Sequence, residues 1–585
     1  MTPRHLLPAL YGISVGATAV ILAPLLPGLI GAGDRYLLYR DAVSTPRTHV
    51  TDTTLGIGDL PPRAVPQDWF VATVSTVVDG GVVVLAVLAA ALVFAGVGYG
   101  RLADRLVPGA GRTGAAAAAL VSVWNPYVAE RLLQGHWSLL AGYAALGWIL
   151  VAVVDLRERD GAVRLLHLGG LFAVAGLTPT GSVLAGIVLA VALIGRPVGF
   201  RVTAGVVALW VLSTLPWLVT SLITEAPTTS SAAGVEAFGL RSEPWLGPLG
   251  TVVSLGGIWN ADAVPTSRTI GWAAVSTICL LLVVAVGVGY LWRRRTQLDP
   301  LVRAIAVLAS ATVIILLLST FGPARAGLGS VVEHIGGGGL LRDTQKFSAL
   351  LVPAVAVCVA AAVAAARRRV PSGFALAAVA LLVVAPLPDL AWGAGGAVRA
   401  VAYPDEWRHV AEIVPPDRGS VALWPPGTVR EYPFAHDPSL DPAARMMRAP
   451  VVESGELRVD GEVIDPTGEH AAAVTRVLES GGSPTALAEL GVGWVLIENG
   501  SPPVQLAESG DPVFDGQTLI LYEVAGPADR SADVADRAIA TGAHLVWAAL
   551  LIAGLIGVGV GLIKGDGVRG GGVRGGVRTA RRRTS

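Results

Sequence analysis

Lysine is almost missing from this chain of 585 residues: Lys346 and Lys564 are the only two. Cysteine is as scarce, with Cys279 and Cys358 alone. Both lie in apolar runs, where a thiol packs as a small hydrophobe. A disulfide or a thiolate metal site therefore has little support. Charged residues make up only 15% of the chain, against about 25% in soluble domains. The GxxxxGKS/T phosphate loop, HExxH and paired CxxC are all absent. The "GGGG" at 336–339 lacks the flanking strand and helix of a dinucleotide site.

What the chain has is apolar length. It is 53% hydrophobic with mean hydropathy +0.62. Apolar runs predict twelve crossings, near 7–32, 78–99, 113–125, 137–156, 165–177, 182–195, 202–222, 270–291, 302–320, 348–366, 372–391 and 541–563. The Arg clusters "GRLADRLVPGAGR", "RERDGAVR", "GRPVGFR", "WRRR", "ARRR" and "RTARRRTS" then fall on one side with Met1. Cytoplasmic loops are enriched in Arg and Lys, so both termini are expected in the cytoplasm of a plasma-membrane protein. The run 165–194 would rise about 45 Å as one helix, too long for a core of about 30 Å. It reads as two short helices that turn at Pro179. "WNPYVAERLLQGHW" (124–137) reads as an outer interfacial helix with a solvated face, its Trp and Tyr at headgroup level. Residues 1–33 exceed a signal peptide's apolar run and read as an uncleaved first helix. The Gly/Arg-rich tail 564–585 reads as disordered and drawn to anionic lipid.

The expected fold is a polytopic α-helical membrane domain over 1–391, with outer loops 33–77, 223–269 and 321–347. Residues 392–540 follow as an extracytoplasmic α/β domain, before the last crossing 541–563. "DEWRHVAEIV" and "EHAAAVTRVLES" have helical spacing, and "SVALWPP", "GWVLIEN" and "TLILYEV" read as strands. Between Val401 and Asp536 stand 23 acidic and 8 basic residues, a net of −15. Such a segment does not bind nucleic acid, which needs clustered cations.

The outer loops carry the candidate chemistry. The first, "GDRYLLYRDAVSTPRTHVTDTTLGIGDLPPRAVPQD", is dense in Asp and Arg. If "DRYLLYRDA" is helical, Asp34 and Asp41 share a face two turns apart. A partly desolvated carboxylate there can act as general base for a hydroxyl. In the third loop, Arg342 and Lys346 stand at i and i+4 after the Gly run and share a helix face suited to a phosphate. Glu130, Gln134 and His136, with Arg241, Asn260 and His334, are candidate sugar contacts. Each residue has a plainer alternative. Asp41 and Asp34 can pair with a nearby Arg or cap a helix, and Arg342 and Lys346 can pair with Asp343. His334 beside Glu333 lacks metal-ligand spacing.

The first crossing, the acidic outer loop, the broken helices and the outer α/β region together resemble the GT-C class of integral-membrane glycosyltransferases. "LYRDAVSTP…PPRAVPQD", "WNPYVAERLLQGHWSLLAGYAALGW", "LTPTG", "GGIWN" and "LLRDTQKF" resemble its actinobacterial cell-envelope members. The resemblance implies a polyprenyl-phosphate-linked sugar as donor and an envelope polysaccharide or glycolipid as acceptor. It implies inversion, with a first-loop base, Asp41 first and Asp34 second. Arg342, Lys346 and Arg40 would take the donor phosphate. The loop has "RD" at Arg40–Asp41 where better-known members pair two acids, which leaves a divalent metal open. The alternatives are a lipid or glycan transporter or flippase, and a non-catalytic envelope-assembly protein of the same architecture. Against transport, almost no charge lies mid-run, as ion-coupled paths need.

Overall fold

The computed structural model describes residues 6–30, 35–158, 161–195, 197–224, 226, 229–459, 462–465 and 467–567. Asp34 and residues 568–585 of the basic tail lie outside them. The molecule is mostly helical, at 63%. Among the described residues, seven helices are long and apolar enough to cross a membrane: Gly80–Leu106, Trp137–Leu156, Phe200–Ile223, Trp272–Trp292, Pro300–Leu318, Thr344–Ala366 and Val534–Gly557. Two more candidates are bent pairs, Leu6–Ile21 with Ala23–Leu29 at 76° and Ser372–Val384 with Pro388–Gly396 at 77°. Together these hold nine of the twelve expected apolar segments, seven as long helices and two as bent pairs. The other three segments are helices of 13 to 17 residues, Gly111–Val123, Ala162–Ala175 and Pro179–Gly195. Pro179 opens the last of these, as the two-helix reading of 165–194 requires.

Burial separates these helices into inner and outer ones. Trp137–Leu156 and Thr344–Ala366 are 89% and 83% buried in their apolar windows, while four outer helices are only 28% buried. Ile278, Leu282, Ile314, Ile315, Leu555 and Ile556 stand bare on those outer faces. Soluble monomers rarely leave apolar patches beyond a few hundred Å² in water. Faces of this kind suit lipid, and the chain is read as a membrane protein. Helix backbones cross closely where side chains are smallest: a Cβ added at Gly170 would lie 2.6 Å from the Gly554 Cα.

The first loop is a hairpin, which overturns the expected helix over "DRYLLYRDA". Tyr36–Tyr39 and Ala42–Val43 pair antiparallel across a two-residue turn, Arg40–Asp41. Alternating side chains of "YLLY" suit a strand buried on both faces. Ala400–Val401 adds a third strand beside Tyr36–Leu37, joining the loop to the chain's distant second half. The same second half holds a five-stranded sheet ordered Phe514–Asp515, Ile520–Glu523, Val492–Ile497, Ser420–Trp424, Val451–Val452. Its three central-to-edge members Val492–Ile497, Ser420–Trp424 and Val451–Val452 run parallel. Parallel strands are covered on both faces. Val421, Leu423 and Leu496 pack toward Trp407 and Val410, and Ala422, Val495 and Ile497 toward Val474 and Leu478.

Ionic and polar contacts fasten this sheet region to the first loop. Asp52 accepts from Arg537 at 2.6 and 2.7 Å, and Asp59 from the Ala471 amide at 3.1 Å. Arg63 reaches Asp465 at 2.8 Å and Asp68 meets Arg445 at 3.0 Å. The Tyr403 hydroxyl donates to the Ser44 carbonyl at 2.9 Å. Much of the ionisable chemistry outside the first helix is thus a docking surface.

Candidate functional site

Asp41 is the acid of the first loop that this docking leaves aside. It occupies the hairpin turn, where Arg40 takes the left-handed φ of +50°. The turn is held from two sides: the Asp41 amide donates to the Gln134 carbonyl at 3.2 Å, and Arg40 exchanges backbone bonds with Pro438 and Leu440. The Asp41 Oδ2 lies 2.9 Å from His136 Nε2, and 40% of the Asp41 side chain stays accessible.

His136 reaches this position because of how the helix Pro126–Gln134 ends. Asn125 caps its N-terminus by accepting from the Val128 amide at 3.1 Å, and Pro126 occupies the first turn, where no amide is needed. Gly135, at φ +85°, closes the C-terminus. The His136 amide then returns to the Arg131 carbonyl at 2.8 Å. The expected interfacial helix with a solvated face is overturned: all of Pro126–Gln134 is buried, as are Trp124 and Trp137. Its neighbours are protein on every side, including the first loop and the segment 240–260.

Behind His136 the polar contacts continue. Arg131 Nη1 lies 3.0 Å from His136 Nδ1 and 3.1 Å from Asp343 Oδ2. Lys346 Nζ meets the same Asp343 oxygen at 3.4 Å. A line of groups thus runs from Asp41 through His136, Arg131 and Asp343 to Lys346. Burial would push the Asp41 carboxyl up, but the His136 bond and the Lys346 charge bring it below its ordinary value. Burial pushes the His136 imidazole down and the Arg131 and Lys346 charges add to this, outweighing Asp41. Asp343 is held at about 2: burial opposes this, and the Arg131 and Lys346 cations outweigh it.

Arg342 and Lys346 do not share a helix face. Asp343, with φ −84° and ψ 80°, separates two 3₁₀ segments, Gly338–Leu341 and Thr344–Leu351. Arg342 donates to both Asp465 oxygens at 2.7 and 2.8 Å and stacks over Phe238 at 4.4 Å. Arg63 binds the same Asp465, and its charge and that of Lys346 both interact with Asp41. Two cations, Lys346 and Arg63, therefore act on the Asp41 carboxylate, while Arg342 is engaged by Asp465. Arg40 points elsewhere, to the Asp262 carbonyl at 3.0 Å and to Asp437 at 3.9 Å.

The remaining candidates differ in burial. Gln134 Oε1 accepts from Asn260 Nδ2 at 2.9 Å, next to the Asp41 turn. Arg241 Nε donates to the Ile258 carbonyl at 3.3 Å, and its Nη2 is buried without a partner. Glu130 is fully buried, accepting from the Gly257 and Ile258 amides at 3.0 and 3.1 Å and from Gln345 at 2.9 Å. Burial and Glu243 beside it push its carboxyl well above the usual range. Glu243 is itself clasped by the buried Arg268 at 2.6 Å. Glu130 thereby ties its own helix to the second and third outer loops. His334 is exposed, with Nδ1 donating to the Ser330 carbonyl at 2.9 Å.

A divalent metal does not fit the donors present. Asp343 and Asp465 are each taken by two cations, and Lys346 and Arg63 stand near Asp41. Among the described residues, no three His, Cys, Asp or Glu side chains gather as a metal would need. The pairing of Lys346 with Asp343 is legible in the sequence, whereas the roles of Arg131, Arg63 and Asp465 are not. Their roles come from partners hundreds of positions away, which no spacing rule encodes. Against family models, curated proteins and solved structures, the chain finds no match.

Proposed function

We propose that the protein is a glycosyltransferase of the membrane, using a polyprenyl-phosphate-linked sugar as donor and an envelope glycan or glycolipid as acceptor. The observation that carries this is the accessible Asp41 carboxylate, held by His136, with the Lys346 and Arg63 charges acting on it. An ionised carboxylate beside a cationic surface suits a reaction that removes a proton and releases a phosphate.

Asp41 takes the proton of the acceptor hydroxyl. That oxygen attacks the anomeric carbon from the face opposite the phosphate, and the bond from the carbon to the phosphate oxygen breaks. Configuration inverts, and the negative charge of the departing polyprenyl phosphate falls on Lys346 and its neighbours. Asn260, half-buried beside Gln134, suits a sugar hydroxyl. In this reading the twelve apolar segments embed the chain in the plasma membrane with both termini cytoplasmic. The first loop and the sheet region face outward, where lipid-linked donors are consumed.

The test compares sugar transfer by membranes carrying the wild type and Asp41→Asn, matched in protein level. Labelled polyprenyl-phosphate arabinose, mannose and other sugars serve as donors, with extracted envelope glycan as acceptor. Loss of at least about a hundredfold is expected in the variant. Full transfer by Asp41→Asn removes Asp41 as base. Absence of transfer by the wild type with every donor, while a known enzyme works in the same membranes, sinks the enzymatic reading.

A further inference from the structure

Two side chains meet His136, and their chemistry differs. Arg131 carries only donors and cannot be deprotonated. Its Nη1 stands 3.0 Å from Nδ1 of His136, so that ring nitrogen accepts. A ring nitrogen that accepts carries no proton, which leaves the proton of the neutral imidazole on Nε2. That atom is 2.9 Å from Asp41 Oδ2, a carboxylate and an acceptor. The Arg131–His136 and His136–Asp41 contacts thus each pair a donor with an acceptor only if His136 is neutral with its proton on Nε2.

We infer that His136 is a positioning residue: Arg131, held by Asp343, fixes it as the Nε2–H imidazole, and that N–H aims the Asp41 carboxylate. Asp343 Oδ2 holds Arg131 at 3.1 Å and Lys346 at 3.4 Å, so one oxygen supports both the base and the cation opposite it. The charged groups acting on the imidazole include Asp41, Arg131, Lys346 and Asp343. One oxygen of Asp41 is engaged by His136, and the accessible part of the carboxylate is left to the acceptor hydroxyl. Orienting a base through a hydrogen bond to a third group is a general device of proton-transfer sites. The catalytic meaning of this arrangement rests on the glycosyltransferase reading. The protonation state of the ring does not.

Two experiments test it. Protein with ¹⁵N-labelled histidine is purified in lipid nanodiscs, and His136 is assigned among the nine histidines by the signal missing from His136→Gln. Near neutral pH the ring is expected as the neutral Nε2–H tautomer. An imidazolium or the Nδ1–H tautomer overturns the inference even if the wild type transfers sugar. Transfer kinetics then compare three variants. The Gln amide nitrogen can occupy the place of Nε2 and still donate to Asp41, whereas the shorter Asn and Ala cannot. His136→Gln is expected to keep kcat within about threefold, with Asn and Ala falling at least about tenfold at unchanged donor KM. Equal loss or equal retention in Gln, Asn and Ala overturns the positioning role. A wild type inactive with every donor overturns that role together with the enzymatic reading, and leaves the tautomer result standing.

Discussion

A Cβ added at Gly135 would stand 2.4 Å from the Ala42 amide nitrogen and 2.7 Å from the Tyr39 carbonyl oxygen, and the residue sits at φ +85°. Both facts require glycine: a side chain meets backbone, and the left-handed region costs other residues about 1–2 kcal/mol. Gly135→Ala is therefore expected to push the Arg40–Asp41 turn away from His136. Stability should fall by about 1–3 kcal/mol, read as a lower unfolding midpoint in detergent, and transfer should fall further than folded protein does. A variant as stable and active as the wild type would mean that the two segments are not packed as described. Asp41 could be singled out in the sequence from its charge and its place outside the first helix. Its partner could not. His136 was expected to contact sugar, because nothing within one stretch of sequence pairs it with a residue in another. The Asn-Pro start and Gly end of 125–135 did mark the helix that carries it, and so where the chain turns at His136.

At the scale of elements, the first loop acts as a clamp for the sheet region. The Asp68–Arg445 pair is the most enclosed of the ion pairs joining them that were described above with Asp52 and Arg63, its side chains 15% and 11% exposed. Removing Asp68 leaves a mostly buried guanidinium without this partner, a loss on the order of 1–3 kcal/mol. Asp68→Asn should lower the unfolding midpoint and speed proteolysis within 400–530. Restoring the pair in reverse, with Asp68→Arg and Arg445→Asp together, should recover part of the loss. Unchanged proteolysis in the single variant would show that the contact does not hold the sheet region in place. The helix expected over "DRYLLYRDA" failed for a related reason. Tyr36–Tyr39 finds strand partners on both sides, and those tertiary hydrogen bonds outweigh a local helical preference. In the third loop the flexible Gly run and Asp343 break the helix that would have aligned Arg342 with Lys346.

For the whole molecule, the strand pairing of Tyr36–Leu37 with Ala400–Val401 requires the first loop and the sheet region to lie on one side of the membrane. Arg-rich segments such as 293–295 are expected on the other. In a background with Cys279→Ala and Cys358→Ala, a single cysteine replacing His436 should react with an impermeant maleimide on intact cells. A single cysteine replacing Arg295 should react only after the membrane is opened. Both positions are exposed, so access reports the side and not burial. Labelling of position 295 from outside would reverse the orientation.

The sequence by itself determined that the chain is helical, apolar and built for a membrane. That follows because each run carries its own signal: in lipid a helix must satisfy its backbone internally and present apolar side chains, both local properties of about twenty residues. Two helices of the sheet region and the strands near 420–424, 492–497 and 520–523 were legible for the same reason, through periodicity within each element, whereas the two-residue strands Val451–Val452 and Phe514–Asp515 are too short to carry one. Only the tertiary structure decided which charges are cement and which face the site. Asp41 meets His136 across 95 positions and Asp52 meets Arg537 across 485. Hydrogen bonds and ion pairs form with whatever the fold brings within about 3 Å, and a one-dimensional pattern carries no record of that distance.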